Sequence, residues 1–508
     1  MEAPSWALIV MALLAALSFL SKIITFKRHQ LKLAPGPKPW PIIGNLNLLG
    51  PLPHQSLHKL SQRYGPIMQL KFGSLSVVVA SSPYMSKQFL KTYDHIFASR
   101  PQTAAGKYIS YNHTNVLWAP YGPYLHQGRK IFMSELFTSK RLESYEYIRV
   151  EERRALVSRL CALSGKPISM KEHLLRLTLS VISRIVLGKM YFSESEFETS
   201  AVTFMEILQM LNEWFVLNSE FNLGDCIPWL NFLDLQGYVK RMKALAKKFD
   251  RFLDHVFDDH KVKREVEDFV PKDMVDLLLQ LSDDPNTDVK LTYDNVKGLI
   301  QDLLVAGTDT AATSVEWAMS ELLKQPHMIS KAIEELDRVI GKDRWVDEKD
   351  IPQLPYIDAI IKETMRKHPV AVLLAPHSAL EDCNVAGYDI RKGSIILINT
   401  WGMGRDPLIW DAPEEFHPER FLGKAIDGKG QYFELLPFGS GRRMCPGYSL
   451  GLKMIYSTLA NMLHGFEWKL PDNMKPEDLS MEEVYGLATS RKFPLVAVTK
   501  PRLPLHLY

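Results

Sequence analysis

Residues 438–447 read Phe-Gly-Ser-Gly-Arg-Arg-Met-Cys-Pro-Gly and are the most informative stretch of this 508-residue chain. Two glycines, Gly439 and Gly441, allow tight backbone turns close to a flat ligand. Cys445 stands at the end of the turn, and an apolar helix is predicted to begin at Gly447. A thiolate near a helix N-terminus is stabilised by the helix dipole and by free amide groups. Taken alone, the stretch also fits an inert, buried cysteine in a glycine-rich turn.

A second motif, residues 306–310, reads Ala-Gly-Thr-Asp-Thr and lies inside a long helix predicted over residues 296–323. Glycine and β-branched threonine are unfavourable in the middle of a helix. Their presence is explained either by a local kink that opens a groove or by close packing of small residues against a neighbouring helix. The residues by themselves leave both explanations open.

A third motif contains Glu363 and Arg366, which are three residues apart and therefore share one face of a predicted helix. Such a pair is usually an exposed ion pair that contributes about a few tenths of a kcal/mol. Further along, residues 416–421 read Phe-His-Pro-Glu-Arg-Phe and supply a second arginine, Arg420. The three motifs together carry more information than any one of them.

Together these motifs resemble those of the cytochrome P450 superfamily. The haem-binding signature of that superfamily, F-x-x-G-x-R-x-C-x-G, is matched at every fixed position by residues 438–447. The resemblance implies that Cys445 is the thiolate ligand of the haem iron and that Arg443 pairs with a haem propionate. The cofactor-binding residues that it implies in this loop are Phe438, Gly441, Arg443 and Gly447. Thiolate ligation pushes electron density onto iron and favours O–O cleavage.

By the same resemblance, residues 306–310 form the oxygen-activating segment. Thr310 is implied to hydrogen-bond to the oxygen bound at the iron, and Asp309 to relay the protons that heterolysis of the O–O bond requires. Ala311 follows where many relatives carry serine or threonine, so one hydroxyl of the usual relay is absent. The resemblance also implies a buried structural cluster behind the haem, made by Glu363, Arg366 and Arg420.

One stretch departs from the family pattern. Within residues 121–130, Leu125 and His126 stand where relatives carry the Trp and the first Arg of W-R-x-x-R, whereas Arg129 matches the final arginine. The resemblance assigns Arg129 to a haem propionate and predicts weaker haem retention, because the indole N–H is lost. His377 corresponds to a basic residue that also reaches a propionate in the family.

The N-terminus predicts a membrane anchor. Residues 6–20 are apolar and uncharged, and the apolar character continues to residue 26 with one interruption at Lys22. This length just suffices to span a bilayer, and the basic residues that follow place the rest of the chain in the cytosol. The alternative, a cleaved signal peptide, requires basic residues before the apolar run and small residues after it. The predicted division is an anchor over residues 1–26, a basic, proline-rich hinge over 27–45, and a cytosolic haem-thiolate domain over 46–508.

Composition limits the remaining alternatives. Hydrophobic residues make up 46% and charged residues 23% of the chain, with a net charge of +3. These values exclude a mainly disordered chain, a fibrous repeat and a multi-span membrane protein, and they lack the basic excess of a nucleic-acid binder. Residues 67–72, 76–79 and 394–398 predict strands, whereas the apolar spacing from residue 140 to 325 predicts helices. The expected fold is mainly α with a small β portion, the cytochrome P450 fold, preceded by one transmembrane helix.

Four stretches are most similar in sequence to plant microsomal A-type P450 enzymes of specialised metabolism. They are the hinge, residues 306–310, residues 437–447 and residues 493–503. The resemblance implies a monooxygenase of the endoplasmic reticulum membrane that uses O2 and electrons from NADPH, delivered by NADPH–cytochrome P450 reductase. A lipophilic small molecule is the expected substrate, with an aromatic compound (a phenylpropanoid, lignan or flavonoid) as first choice. The alternatives are a terpenoid oxidase of the same mechanism and a haem redox or sensor protein without substrate turnover.

Substrate choice is expected to depend on four segments that face the distal side of the haem in the family, residues 106–116, 301–306, 370–374 and 486–489. Their residues are mostly small or apolar, which suits an apolar, planar or terpenoid substrate. Composition does not separate these substrate classes.

Overall fold

The computed structural model describes residues 31–193, 202–264, 270–285 and 289–508. The α-helices in these ranges are, in chain order, α1 (Pro53–Tyr64), α2 (Pro83–Lys87), α3 (Asp94–Phe97), α4 (Ala104–Tyr108), α5 (Pro123–Ile131), α6 (Ser139–Ser144), α7 (Glu146–Ala162), α8 (Met170–Leu187), α9 (Phe204–Ser219), α10 (Leu223–Cys226), α11 (Tyr238–Arg264), α12 (Met274–Asp283), α13 (Tyr293–Lys324), α14 (Pro326–Val339), α15 (Pro355–Lys367), α16 (Thr400–Met403) and α17 (Tyr448–Gly465).

The strands of the same ranges are short. In chain order they are β1 (Ile67–Phe72), β2 (Leu75–Ala80), β3 (Pro167–Ser169), β4 (Phe192–Ser193), β5 (Val202–Thr203), β6 (His377–Ser378), β7 (Cys383–Val385), β8 (Tyr388–Ile390), β9 (Ile395–Ile398), β10 (Phe466–Lys469), β11 (Glu483–Val484), β12 (Ser490–Arg491) and β13 (Val496–Pro501). The prediction of a mainly helical fold with a small β portion is confirmed.

Helix α13 is the central element of the fold. It has 32 residues and is therefore about 48 Å long. Its first turn is closed by a capping box, in which the side chains of Thr292 and Asn295 each accept a hydrogen bond from the backbone N–H of the other residue. Helices α8, α12, α15 and α17 pack around it. The residues of α13 are buried on nearly every side of the helix, including the polar side chains of Gln301 and Glu316.

The structure decides between the two explanations of the 306–310 motif. Helix α13 runs through the motif without a break, and a Cβ atom added to Gly307 would lie 2.7 Å from the Cδ1 atom of Ile182 in α8. Glycine is therefore required for the close packing of these two helices. The hydroxyl groups of Thr308 and Thr310 donate to the carbonyl oxygens of Leu304 and Ala306, at 2.7 and 2.8 Å.

The largest sheet has the strand order β1-β2-β9-β6. Strands β1 and β2 are antiparallel, whereas β2 pairs in parallel with β9, which returns from more than 300 residues further along the chain. The three predicted strands are thus confirmed. A second sheet, β10-β13-β3, joins the C-terminal segment to the beginning of α8. Strands β3, β4 and β5 interrupt the predicted helical region, and their two or three residues are too few to show an alternating pattern.

The proline-rich hinge lies along the edge of β1. The carbonyl of Pro35 accepts a hydrogen bond from the backbone N–H of Gln69 at 2.9 Å, and the backbone N–H of Asn45 donates to the carbonyl of Lys71 at 2.6 Å. The predicted anchor, residues 1–26, lies outside the described residues. Within the described ranges, no helix combines the length and the apolar character needed to cross a bilayer.

The cluster expected from the third motif is present and buried. Glu363 accepts two hydrogen bonds from Arg366, at 2.6 and 2.7 Å, and one from Arg420 at 3.0 Å. The side chains of Glu363 and Arg366 are fully buried and that of Arg420 is 7% exposed. The guanidinium groups also donate to backbone carbonyls of the loop that leads to residue 420. The cluster therefore joins α15 to the loop before the cysteine motif.

Replacement of Arg366 by methionine is predicted to destabilise the protein strongly, because Glu363 would remain buried with only one cationic partner. Breaking a buried pair costs roughly 3–5 kcal/mol, and chemical denaturation of the haem-loaded protein measures the loss. The matched control is Lys492→Met, which breaks the exposed 2.8 Å pair with Glu482 and is expected to cost less than about 1 kcal/mol. Equal effects of the two substitutions would contradict a stabilising role for the buried cluster.

Candidate functional site

Cys445 is held between a tight turn and the beginning of a helix. Its backbone N–H donates to the carbonyl of Phe438 at 2.9 Å. Helix α17 begins at Tyr448 with Gly447 as its N-cap, and the N–H of Gly447 donates to the sulfur of Cys445. Burial raises the pKa of the Cys445 thiol, while the N–H of Gly447 and the charge of Arg129 act in the opposite direction. The sulfur is therefore oriented by the backbone and lies close to positive charge.

Backbone conformation explains the glycines of this loop. Gly441 has a φ of +69°, and an added Cβ atom would lie 2.0 Å from the carbonyl oxygen of Leu90. Gly439 also has a positive φ, of +68°. The ring of Phe438 packs against that of Tyr448 with 6.3 Å between the centroids. The turn thus needs glycine at residue 441 for conformation and for close approach of the backbone.

Two arginine side chains next to this loop are fixed by backbone carbonyls. Arg443 donates to the carbonyls of Ala98, Val116 and Ala119. Arg100 donates to those of Leu117, Ala375 and Pro376. Arg100 is only 6% exposed. No sequence motif predicted Arg100, because its neighbours are distant in the chain and come together only in the folded protein.

Arg129 completes a cluster of positive charge beside Cys445. Within the described ranges, Arg100, Arg129 and Arg443 form no ion pair with a carboxylate, and Arg129 and Cys445 perturb each other's pKa. Burial and the neighbouring Arg129 lower the pKa of Arg443 to about 9. The buried His377 has a pKa well below its usual range because of burial and of Arg100, and its Nδ1 lies 2.8 Å from the carbonyl of Phe97. His377 is therefore neutral and part of the same region.

This set of side chains fits a flat, dianionic cofactor with a metal centre. Guanidinium groups in fixed positions bind carboxylates through charge-assisted hydrogen bonds. A cysteine sulfur at a helix N-terminus is a suitable metal ligand. The haem group combines two carboxylates with a metal, and the structure brings Arg129, His377 and Arg443, predicted from separate motifs, into the neighbourhood of Cys445.

On helix α13 the side chains of the second motif differ in environment. Ala306 is exposed although it lies in the middle of a buried helix, Thr310 is half-buried, and Thr308 is completely buried. Asp309 forms an ion pair of 2.7 Å with Lys171 of α8. The Nζ of Lys171 also donates to Thr313 at 2.6 Å. Lys171 is a partner of Asp309 that the motif alone did not predict.

Leu125 and His126, the two residues that differ from the family pattern, have different environments. Leu125 is 1% exposed and belongs to the main hydrophobic core. His126 is exposed, and its ring meets that of Tyr121 edge-on with 4.9 Å between the centroids. The hydroxyl of Tyr121 accepts a hydrogen bond from Arg442 at 2.8 Å. Leucine therefore fills an apolar site, and the neighbouring histidine lies at the surface.

A cavity of about 120 Å³ lies beside the segment that binds Arg100, since Pro376 forms part of its wall. Its lining includes Leu373, Leu374 and Leu487, which belong to two of the four predicted substrate-facing segments, 370–374 and 486–489. The other two segments do not line this cavity. Their places are taken by Trp118, by residues 218–222 at and after the end of α9, and by strands β1 and β2. Those parts come from loops and sheet edges whose sequence carries no signal of a binding function.

Comparison with known proteins agrees with this geometry. A family model described as cytochrome P450 matches residues 34–495. The chain belongs to the cytochrome P450 family. Among curated relatives, trimethyltridecatetraene synthase of Zea mays is 45% identical over 99% of this chain and 95% of its own length. Flavonoid 3'-monooxygenase of Petunia hybrida is 42% identical over 97% of this chain and 96% of its own length. A solved zebrafish cytochrome P450 with abiraterone has a TM-score of 0.75 and 26% identity, covering 89% of this chain and 100% of its own.

As a cytochrome P450, the protein is a haem-thiolate monooxygenase that receives electrons from NADPH through a reductase, and the two curated relatives named above come from plants. The residues of this chain fit that cofactor. Cys445 is the sulfur available as ligand, and the guanidinium groups of Arg100, Arg129 and Arg443 are available for the propionates. These assignments remain predictions for the individual residues.

Replacement of Cys445 by serine is predicted to abolish the thiolate signature, because a hydroxyl is a far weaker ligand without comparable electron push. The absorption spectrum of the reduced, CO-bound protein measures this. Cys383→Ser is the matched control, since Cys383 lies in β7 outside the site, and it should leave the spectrum unchanged. Retention of the thiolate-type Soret band after the Cys445 substitution would disprove the assignment.

Proposed function

We propose that this cytochrome P450 inserts one oxygen atom from O2 into a lipophilic plant specialised metabolite, with an aromatic compound of the phenylpropanoid, lignan or flavonoid classes as substrate. The observation that carries the proposal is the cavity next to the arginine cluster. Its walls are apolar, with aromatic side chains of Phe72, Trp118 and Phe221, and Asn218 and Asp225 supply polar atoms. An apolar pocket with a few polar groups suits a planar phenolic compound. The petunia relative, named a flavonoid 3'-monooxygenase, supports the same class.

A terpenoid substrate is the second candidate. Two maize relatives favour it, trimethyltridecatetraene synthase at 45% identity and dimethylnonatriene synthase at 43%. The reaction and cofactor would be the same, and only the shape of the apolar substrate would differ. The two candidates therefore predict different products from one assay.

The residues have distinct tasks in this proposal. When bound, the haem supplies the activation of O2. Arg100, Arg129 and Arg443 hold its carboxylates, while the N–H of Gly447 donates to the Cys445 sulfur and keeps it oriented.

Proton transfer is assigned to Thr310 and Asp309. The Thr310 hydroxyl donates to the carbonyl of Ala306, so its oxygen lone pairs remain available to accept from a water or a reacting group. The carboxylate of Asp309 is fixed by the ion pair of its Oδ1 with Lys171. Proton donors placed in this way contribute typically about 10²–10⁴-fold to a rate.

We also propose that the protein is held at the endoplasmic reticulum membrane by residues 1–26, with the catalytic domain in the cytosol. Apolar side chains on the adjoining surface support this proposal, since Trp229 is 62% and Phe232 is 82% exposed. The turn between β1 and β2 donates one backbone hydrogen bond to Ile43 in the hinge and one to Cys226, the last residue of α10, which precedes Trp229. Extraction of membranes with carbonate should leave the protein in the pellet, and its release into the supernatant would contradict the anchor.

Product analysis tests the proposed reaction. Membranes containing this protein and a plant NADPH–cytochrome P450 reductase are incubated with NADPH and a panel of phenolic and terpenoid compounds, and mass spectrometry detects oxygenated products. A hydroxylated phenolic product supports the first candidate, and a terpenoid product supports the second. NADPH consumption without product from any compound would favour a haem redox or sensor protein.

Thr310→Ala is predicted to uncouple NADPH consumption from product formation. Without the hydroxyl, proton transfer beside the haem loses its alignment, so reduced oxygen leaves as peroxide or water. The measurement is the amount of product per NADPH oxidised, with any substrate identified above. Thr308→Ala is the control, because Thr308 makes the same kind of bond within α13 but is fully buried. An unchanged ratio in Thr310→Ala would contradict the assigned role.

A further inference from the structure

A buried carboxylate on α13, two turns before Thr310, binds the segment of residues 115–118. Asp302 is 8% exposed. Its Oδ1 accepts a hydrogen bond from the side-chain amide of Asn115 at 2.8 Å. Its Oδ2 accepts from the backbone N–H groups of Val116 and Leu117, at 2.5 and 3.2 Å. Three donors from three consecutive residues thus converge on one carboxylate.

One peptide group connects Asp302 directly with Arg443. The peptide between Val116 and Leu117 donates its N–H to Asp302, and its carbonyl accepts from the Nη1 of Arg443 at 3.1 Å. The negative and the positive charge therefore polarise the same peptide group from its two ends. Hydrogen bonds arranged in such a chain strengthen one another.

A second route connects Asp302 with Arg100. The side chain of Asn115, bound to Asp302, accepts from the backbone N–H of Trp118 at 3.0 Å. The carbonyl of the same peptide group belongs to Leu117 and accepts from the Nε of Arg100 at 3.0 Å. Asp302 is thus joined to two of the three arginines that we assign to the haem propionates.

Helix α13 is shaped to receive this segment. Gly298 lies one turn before Asp302, and an added Cβ atom would be 3.2 Å from the Oγ1 of Thr114 and 3.3 Å from the backbone N of Asn115. A larger residue would push the segment away from the helix. The approach that brings residues 115–117 within hydrogen-bonding distance of Asp302 therefore depends on glycine at residue 298.

The segment also forms part of the cavity wall. Trp118 lines the cavity, and its indole N–H donates to the side chain of Asn218 at 2.7 Å. The residues that follow Asn218 line the same cavity. A displacement of residues 115–118 would consequently change both the wall of the cavity and the carbonyl groups that hold the arginines.

We infer that Asp302 is a positioning residue, whose carboxylate fixes residues 115–118 and thereby sets the guanidinium groups of Arg100 and Arg443 and the indole of Trp118 at the same time. The inference rests on the proposed role of these arginines in holding the haem. It assigns to Asp302 a coupling between haem retention and binding of a ligand in the cavity. Neither the haem signature nor the oxygen-activating motif contains this residue.

Burial and hydrogen bonding act in opposite directions on the pKa of Asp302. Burial raises the pKa of Asp302 to about 7, whereas the bonds from Leu117, Val116 and Asn115 pull the pKa down. The ionised form accepts all three hydrogen bonds, and protonation would remove acceptor capacity from one oxygen. The three donors therefore favour the ionised form against the cost of its burial.

Asp302→Asn tests the inference, because the amide places an NH2 group where a carboxylate oxygen accepted hydrogen bonds. Two readouts of the haem-loaded protein are taken: haem transfer to apomyoglobin, and spectral titration with 1-phenylimidazole, whose phenyl ring we expect to enter the cavity. Loss of a bond to a charged group predicts haem transfer faster, and 1-phenylimidazole binding weaker, by about tenfold to a hundredfold. Imidazole itself, which is too small to need the cavity wall, should bind as before.

The matched control is Glu316→Gln. Glu316 is another buried carboxylate of α13 and accepts the backbone N–H of Leu495 at 2.9 Å. This substitution should lower thermal stability but leave both readouts unchanged. A milder variant, Asn115→Ala, removes one donor and the link to Trp118, and should change both readouts in the same direction as Asp302→Asn but less strongly.

The outcomes separate the inference from the proposal on which it rests. If the wild-type protein shows the thiolate-type CO spectrum and both Asp302→Asn and Asn115→Ala match it in haem transfer and 1-phenylimidazole binding, the inference alone is overturned. Equal changes in Glu316→Gln would also overturn it, since they would show a general effect of lost stability. A wild-type protein that holds no haem would instead overturn the proposed role of the arginine cluster.

Discussion

The structure depends on one electrostatic constraint, the concentration of positive charge beside the half-buried Cys445. Burial lowers the pKa of Arg100 and of Arg443, the charge of Arg129 lowers both further, and in the described part of the chain no carboxylate pairs with any of the three arginines. Burying such charge is costly unless it is compensated. Six backbone carbonyls compensate Arg100 and Arg443 in part. We propose that the carboxylates of a haem complete the compensation and that the loop and helix geometry around Cys445 serves the same cofactor.

Helix α13 connects the arginine cluster with the rest of the molecule through its contacts. Gly307 allows it to pack closely on α8, and Gly298 allows residues 114–115 to approach it. Two residues of interest lie between these glycines. Asp302 binds the loop that holds the arginines, and Ala306 is exposed in the middle of an otherwise mostly buried helix. One helix thus contacts the loop that holds the arginines and lines the cavity, and it carries the residues to which we assign proton transfer.

The sequence predicted the parts of the fold that local pattern determines. The strands around residues 67–79 and 394–398, the long helix through residue 310 and the helix after Gly447 all have the apolar periodicity of their type. The cluster of Glu363, Arg366 and Arg420 was predicted only through family resemblance, because an isolated pair at this spacing is usually exposed.

Other features could not be predicted because they depend on contacts between distant segments. Arg100 bonds to Ala375, Lys171 pairs with Asp309, and Asp302 binds residues 115–117. None of these pairs has a characteristic spacing, so only the folded chain shows them. The cavity wall after α9 was missed for the same reason, and for Gly307 the sequence left two explanations that only the packing on Ile182 separates.

We propose that the positive cluster and the helix N-terminus position Cys445 to bind the haem iron through its sulfur. X-ray absorption spectroscopy at the iron edge of the resting wild-type protein measures this most directly, because sulfur scatters differently from nitrogen and oxygen. We expect one sulfur atom in the first coordination shell of the iron, together with the porphyrin nitrogens. An iron shell made only of nitrogen and oxygen atoms would contradict it.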